Sequence, residues 1–209
     1  MTVGGAVSVR PPLPASLRRR VTAVGRKALE AAWAVLPEQG SPRFVLASRH
    51  GEYDRTFGLL GELAQSDEVS PAEFSLAVHH ALAGLLSIAT GNRQGHTAVA
   101  AGSESFGYGL LEAATFVAEQ GVPAVLFYFD QPLPDSYAPV MEGDCVTPMV
   151  LALRLVPPSW PQARPLEMSL ETRAGGGDCL SQAFLAVLQN GGEGLAQGRR
   201  HAWRWRDAA

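Results

Sequence analysis

Pro123-Ala124-Val125-Leu126-Phe127-Tyr128-Phe129 is an unbroken apolar run, closed by Asp130-Gln131-Pro132. A strand with one wet face alternates polar and apolar residues, so a short run without alternation reads as a strand buried on both faces. Such a strand needs a covering layer on each side, which makes this an α/β chain with helices above and below a sheet. Its neighbours in sequence fit. Thr97 to Ala101 is a small-residue strand, and Leu110, Leu111, Ala114, Val117 and Ala118 fall at helical spacing. Strand, helix and strand together predict a right-handed βαβ unit.

The rest of the chain can be read in the same terms. Arg10-Pro11-Pro12-Leu13-Pro14 is a proline-stiffened, extended leader, and Ser16 is placed to cap a helix through Leu17, Val21, Val24, Ala28, Leu29, Ala32 and Val35. The polar side of that helix carries Arg18, Arg19, Arg20, Arg26 and Lys27, either a solvated basic face or a landing patch for an acidic partner. Phe44 to Ala47 is a strand, followed by the loop Ser48-Arg49-His50-Gly51-Glu52 and a helix with Phe57, Leu60 and Leu63 on one face. Ser70-Pro71-Ala72-Glu73 is a helix start, and the helix can run through Phe74, Val78, Ala81, Leu82, Leu85 and Ile88 to a stop at Gly91. His79 and His80 fall within it, one expected buried and hydrogen-bonded, the other exposed. Met149 to Leu155 is another strand, broken by Pro157 to Pro165. Gly175-Gly176-Gly177 precedes a helix through Leu180, Phe184, Val187 and Leu188; it lacks the lysine-serine end of a phosphate-binding loop. In Arg199 to Arg206, a final strand alternating buried Trp203 and Trp205 with exposed arginines explains the mixture of bases and indoles more simply than nucleotide stacking does.

Composition narrows the function classes. The 209 residues suit one domain with a real core, and 46% hydrophobic with 18% charged residues describes a globular protein with a rather apolar surface. A net charge of −3 gives no overall drive toward nucleic acid or an anionic membrane. No apolar run approaches the length of a membrane span, and Met1 to Val9 lacks a signal peptide's pattern, so a cytoplasmic location is expected. Cys145 and Cys179 are far apart with no metal-ligand spacing, so neither a disulfide framework, a metal nor a cofactor is suggested.

The stretch from Val78 to Gln131 resembles the centre of a β-ketoacyl synthase. That family shows N-x-x-A-G, an apolar I-x-x-G run, a V-S-T-A-C-S-S-G strand and nucleophile turn, then a buried helix and another strand. Here Ala83-Gly84, Ser87-Ile88 through Gly91, and Val99-Ala100-Ala101-Gly102 lie along this pattern without a gap, and Ser103 falls where the catalytic cysteine would stand. A ketosynthase needs a thiolate there to take an acyl chain from a carrier thioester, and a serine hydroxyl is far weaker without a base. The glycine pair usual at the end of the last strand is replaced by Tyr128-Phe129, and the histidine motifs of the family's second half do not occur after Asp130.

The resemblance implies a thiolase-like half with a mixed sheet, one domain over 1–209, with 1–14 as leader and 157–209 as a divergent extension. It implies a non-catalytic, chain-length-factor-like subunit that pairs with an active β-ketoacyl synthase in aryl-polyene or related type II fatty acid or polyketide synthesis. By the same resemblance Thr97 and Val99 belong to the strand that pairs across the dimer. Glu73, Phe74 and Leu76 reach the partner's acyl tunnel, Phe106 is a further interface candidate, and Arg18, Arg19 and Arg20 are candidates for docking an acyl carrier protein. Two readings compete. One is a serine-dependent acyl hydrolase or transferase using Ser103 with His50, His79 or His80, although Gly102-Ser103-Glu104-Ser105-Phe106-Gly107 is not G-x-S-x-G. The other is a carrier-protein-binding scaffold. His50 with Glu52 has the makings of an acid/base pair, but polar residues at a strand end are mostly loop chemistry.

Overall fold

The computed structural model describes residues 2–4, 12–66, 68–140, 147–161 and 163–208, with the side chains of 2–4 and 138–140 left aside. In chain order the elements are β1 (Thr2–Gly4), α1 (Ala15–Arg18), α2 (Ala23–Ala34), β2 (Arg43–Ala47), α3 (Tyr53–Ser66), α4 (Pro71–Ala77), α5 (Ala81–Thr90) and β3 (His96–Val99). Then follow α6 (Ser105–Gln120), β4 (Ala124–Asp130), a 3-10 turn (Asp135–Val140), β5 (Met149–Val156), β6 (Ala163–Thr172), α7 (Leu180–Asn190), β7 (Glu193–Gln197) and β8 (His201–Asp207). The strands form one mixed sheet in the order β3-β2-β4-β5-β1-β6-β8-β7. Among the described residues the pairs β2/β3 and β2/β4 are parallel and the other strand pairs antiparallel.

The apolar run that becomes β4 divides its side chains by a period of two. Val125, Phe127 and Phe129 join Phe44 and Leu46 of β2 beneath α2 and α5, with Leu29, Ala32, Leu82 and Leu86 packed on them. Ala124, Leu126 and Tyr128 join Val45 and Ala47 on the other face, beneath Phe106, Leu110 and Val117 of α6. Both faces of the central strands are therefore dry, as the missing alternation requires, and the layering is α/β/α.

Two predicted helices are each broken in two. The segment expected to run from Ser16 to Val35 is α1 and α2, and it is Thr22 that caps α2, its hydroxyl accepting from Gly25 N at 3.2 Å. The helix begun at Ser70, whose hydroxyl accepts from Glu73 N, stops at Ala77 and restarts as α5 with a 97° bend. The bend carries α5 onto the sheet and leaves α4 on the surface. A continuous hydrophobic periodicity marks a face and is blind to a change of axis in mid-course. Among the described residues no single helix is long and apolar enough to cross a membrane.

The last 50 residues complete the sheet. Arg164 of β6 ties this region together, donating to Asp207 at 2.5 Å and to Leu188 O at 2.5 Å. Trp203 and Trp205 are fully buried against Phe184 and α6. Each such indole removes roughly 200 Å² from water, about 5 kcal/mol before side-chain entropy is counted. Gly107 lets the indole come that close, because a Cβ there would sit 2.8 Å from the Trp203 ring. The intervening arginines face out, as expected, with Arg204 paired to Glu171 and Glu193 and Arg206 to Glu167. Proline does not end the β5 region for as long as expected, since β6 begins at Ala163 and includes Pro165 opposite Thr2 of the three-residue β1. The expected leader is likewise partly absorbed, with Thr2–Gly4 in the sheet and Leu13 buried in the core; Arg10 and Pro11 lie outside the described residues.

Candidate functional site

The carboxyl ends of β2, β3 and β4 converge, the usual place for chemistry in an α/β sheet. After β2 the chain turns through Ser48, whose hydroxyl accepts from Gly51 N at 2.9 Å and whose carbonyl accepts from His79 Nε2 at 2.9 Å. Glu52 is buried and accepts from Thr22 N at 2.9 Å and Thr22 Oγ1 at 2.5 Å, so its carboxylate anchors the start of α2. Glu52 is thus a structural group, without an acid/base pairing to His50. The His50 ring packs edge-on to Tyr53, and burial beside Arg49 and His79 pushes its pKa down.

After β3 comes the turn that holds Ser103. Gly102 sits at φ +60°, a conformation that favours glycine, and its carbonyl accepts from Ser105 Oγ at 2.7 Å. The same Ser105 oxygen accepts from Ala101 N at 2.9 Å, which closes the turn onto the first residue of α6. Ser103 is half-buried in this turn. The five histidines of the chain are placed elsewhere. His79 is on Ser48, His50 on Tyr53, His80 stacks on His96 with ring centroids 5.6 Å apart, and His201 packs on Tyr108. Among the described residues no histidine hydrogen-bonds Ser103, so the hydroxyl has no base against it.

The next residue was passed over in the sequence except as part of a failed motif. Glu104 is almost fully buried and its carboxylate accepts from Arg200 N at 2.9 Å, His201 N at 3.4 Å and Trp203 Nε1 at 2.9 Å. It pins the turn that holds Ser103 to the start of β8. No local pattern could have marked it, because its partners lie almost a hundred residues away.

Asp130, at the end of β4, was also missed. The parallel register that sets Ala47 opposite Tyr128 brings Arg49 level with Asp130. Burial raises the Asp130 carboxyl from 3.8 to about 6, with the Arg49 charge pulling the other way. Burial pushes the Tyr128 phenol pKa up, and the neighbouring Asp130 charge adds to the rise.

The other sequence candidates scatter. Arg18, Arg19 and Arg20 are exposed at the end of α1. Glu73 and Phe74 are exposed on α4, where Glu73 pairs with Arg55, while Leu76 is half-buried against the α2–α5 core. Thr97 and Val99 lie on β3, a terminal strand of the sheet. Thr97 Oγ1 donates to Glu112 and accepts from Arg43, and Val99 packs on the α6 core. Phe106, a candidate for the interface, is 1% exposed between Tyr128 and Phe184 and offers no surface. Its place in the first turn of α6 points it at the sheet.

Among the described residues no group of three or more metal-ligating side chains forms a metal site. Cys179 is disulfide-bonded, which the wide cysteine spacing had not suggested, and Cys145 lies outside the described residues. A groove of about 820 Å³ lies between α6, the β5–β6 turn and β6, at the other end of β4 from Ser103.

The family description "Beta-ketoacyl synthase, N-terminal domain" matches residues 5–206. The chain belongs to that family. The match runs to residue 206, into the stretch 157–209 read from the sequence as a divergent extension. Among solved structures the chain is similar to a ketosynthase (ApeO) in complex with its chain length factor (ApeC) from Xenorhabdus doucetiae. There the TM-score is 0.80 at 27% identity, with 94% of this chain and 82% of that one covered. The ishigamide ketosynthase/chain length factor shares the fold at TM-score 0.62 and 13% identity, covering 85% of this chain and 57% of that one. A β-ketoacyl synthase from Burkholderia phymatum STM815 aligns at TM-score 0.50 and 14% identity, over 66% of this chain and 36% of that one. This ketosynthase-family chain therefore spans little more than half, or less, of the latter two chains. No curated protein sequence matches it.

Proposed function

We propose that this ketosynthase-family chain is a non-catalytic, chain-length-factor-like subunit that pairs with an active β-ketoacyl synthase. The observation that carries the reading is the β3–α6 turn. A serine without a base stands in the nucleophile position, and the neighbouring carboxylate is committed to holding β8. The similarity to a ketosynthase–chain length factor complex over most of both chains supports it. On this reading β3 contributes its free edge, with Thr97 and Val99, to pairing with the ketosynthase. Glu73, Phe74 and Leu76 form the segment that approaches the acyl tunnel, where the bulk of Phe74 limits product length. Arg18, Arg19 and Arg20, all exposed, form the docking surface for an acidic acyl carrier protein. An aryl-polyene or related type II pathway is the preferred setting.

The test is product length. With the partner ketosynthase present, Phe74→Ala is expected to lengthen the product and Phe74→Trp to shorten it. Unchanged products from both variants, with assembly intact, would favour a scaffold. Labelling of Ser103 by an activated serine probe would instead support a hydrolase or acyltransferase.

A further inference from the structure

The α3 face that carries Phe57, Leu60 and Leu63 is turned towards solvent. These side chains are 42%, 49% and 45% exposed, and it is Leu59 that faces the core. The neighbouring helix α4 packs on α3 and leaves Phe74 62% and Val78 at its end 37% exposed. With roughly 150–250 Å² for an aromatic side chain as the scale, the five leave roughly 400 Å² of apolar surface in water. That is as large as the largest patch on a typical monomer, and patches of this size mark interaction sites. It would supply about half of the roughly 800 Å² that each partner buries in a stable complex.

The exposed charges described on α3, α4 and the link between them are acidic. Asp54, Glu62, Glu68 and Glu73 are exposed, and the sole base of α3 and α4, Arg55, is 12% exposed and bound to Glu73 and Arg20 O. The basic strip of Arg18, Arg19, Arg20, Arg26 and Lys27 lies on α1, α2 and the turn between them. An acidic carrier protein is repelled by the first surface and attracted by the second, so the two surfaces take different partners.

We infer that the α3 face, through Phe57, Leu60 and Leu63, extends the surface on which the ketosynthase partner docks, and that the partner presents an apolar patch with a basic rim. This rests on the pairing proposed above and adds α3 to it. Three features favour that occupant: continuity with Phe74 on α4, an apolar area on the scale of a dimer core, and an acidic rim.

The experiment uses the co-purified pair. Leu60→Glu is expected to weaken assembly at least tenfold, and Leu195→Glu on β7, which replaces a side chain of similar exposure at the far edge of the sheet, to leave it unchanged. Side-chain oxidation footprinting of the unaltered chain, alone and in the pair, reads the same surface without a mutation. Phe57, Leu60 and Leu63 are expected to be protected several-fold in the pair, and this decides the matter should Leu60→Glu fail to fold. Unchanged oxidation at all three, or wild-type affinity for a folded Leu60→Glu, in a preparation where the wild-type pair forms, overturns the inference and leaves the pairing standing. If the wild-type chain pairs with no ketosynthase, the pairing itself falls and the inference with it.

Discussion

The β3–α6 turn and the α3–α4 face use their side chains in opposite ways. At the turn, polar groups are buried and matched: Ser105 serves two backbone groups, and Glu104 accepts from two N–H groups and an indole. On the face, large apolar groups are left partly in water, with the Tyr137 ring edge-on to Phe57. A site for chemistry needs the reverse at the turn, a reactive group with spare hydrogen-bonding capacity and a base beside it. The Ser103 turn is a structural joint, and the exposed apolar groups of α3 and α4 lie where another protein can cover them.

The largest effect is expected from breaking the joint. Glu104→Ala leaves the buried Trp203 indole N–H and two part-buried backbone N–H groups without their acceptor. A loss of about 3 kcal/mol is expected in denaturant melts. A loss below about 1 kcal/mol would mean that the turn is not held as described.

Asp130 sharpens the comparison through pH. Its folded pKa of about 6 lies above the ordinary 3.8, so the folded chain binds the proton more tightly than the unfolded chain between those values. The stability this contributes is present below about pH 4 and lost as pH rises through about 6. With partial exposure discounting the full shift, the decline is about 1–2 kcal/mol. Asp130→Asn is expected to flatten that part of the stability–pH curve. Identical slopes for both chains would contradict the burial argument.

The fold was largely legible because β2, β4, α6 and β8 are specified by nearby residues: apolar runs, alternation and glycine stops. Trp203 and Trp205 could be placed inward from the strand period alone. What was hidden depended on residues distant in sequence. The i, i+3, i+6 spacing of Phe57, Leu60 and Leu63 identifies a face of a helix, and only the path of α4 and α5 decides whether that face is covered. Glu104 and Asp130 were silent for the same reason, since the groups that act on them come from the start of β8 and from the loop after β2. The bend between α4 and α5 escaped because apolar residues continue across it without interruption.

The exposed face is expected to give small effects on stability. Phe74→Ala should change the unfolding free energy by less than about 0.5 kcal/mol, since that side chain is mostly in solvent, while altering product length in the pair. A loss of several kcal/mol in the isolated chain would place Phe74 in the core instead. Ser103→Ala should be the quietest of all, within about 0.5 kcal/mol and with no change in product. Loss of product on that substitution would restore a chemical role to the turn.

The central claim is that this chain works by pairing, and co-expression with the ketosynthase encoded nearest to its gene, followed by light scattering of the purified material, tests it most directly. A stable one-to-one complex is the expected result. A well-behaved monomer that ignores every ketosynthase offered would contradict the account.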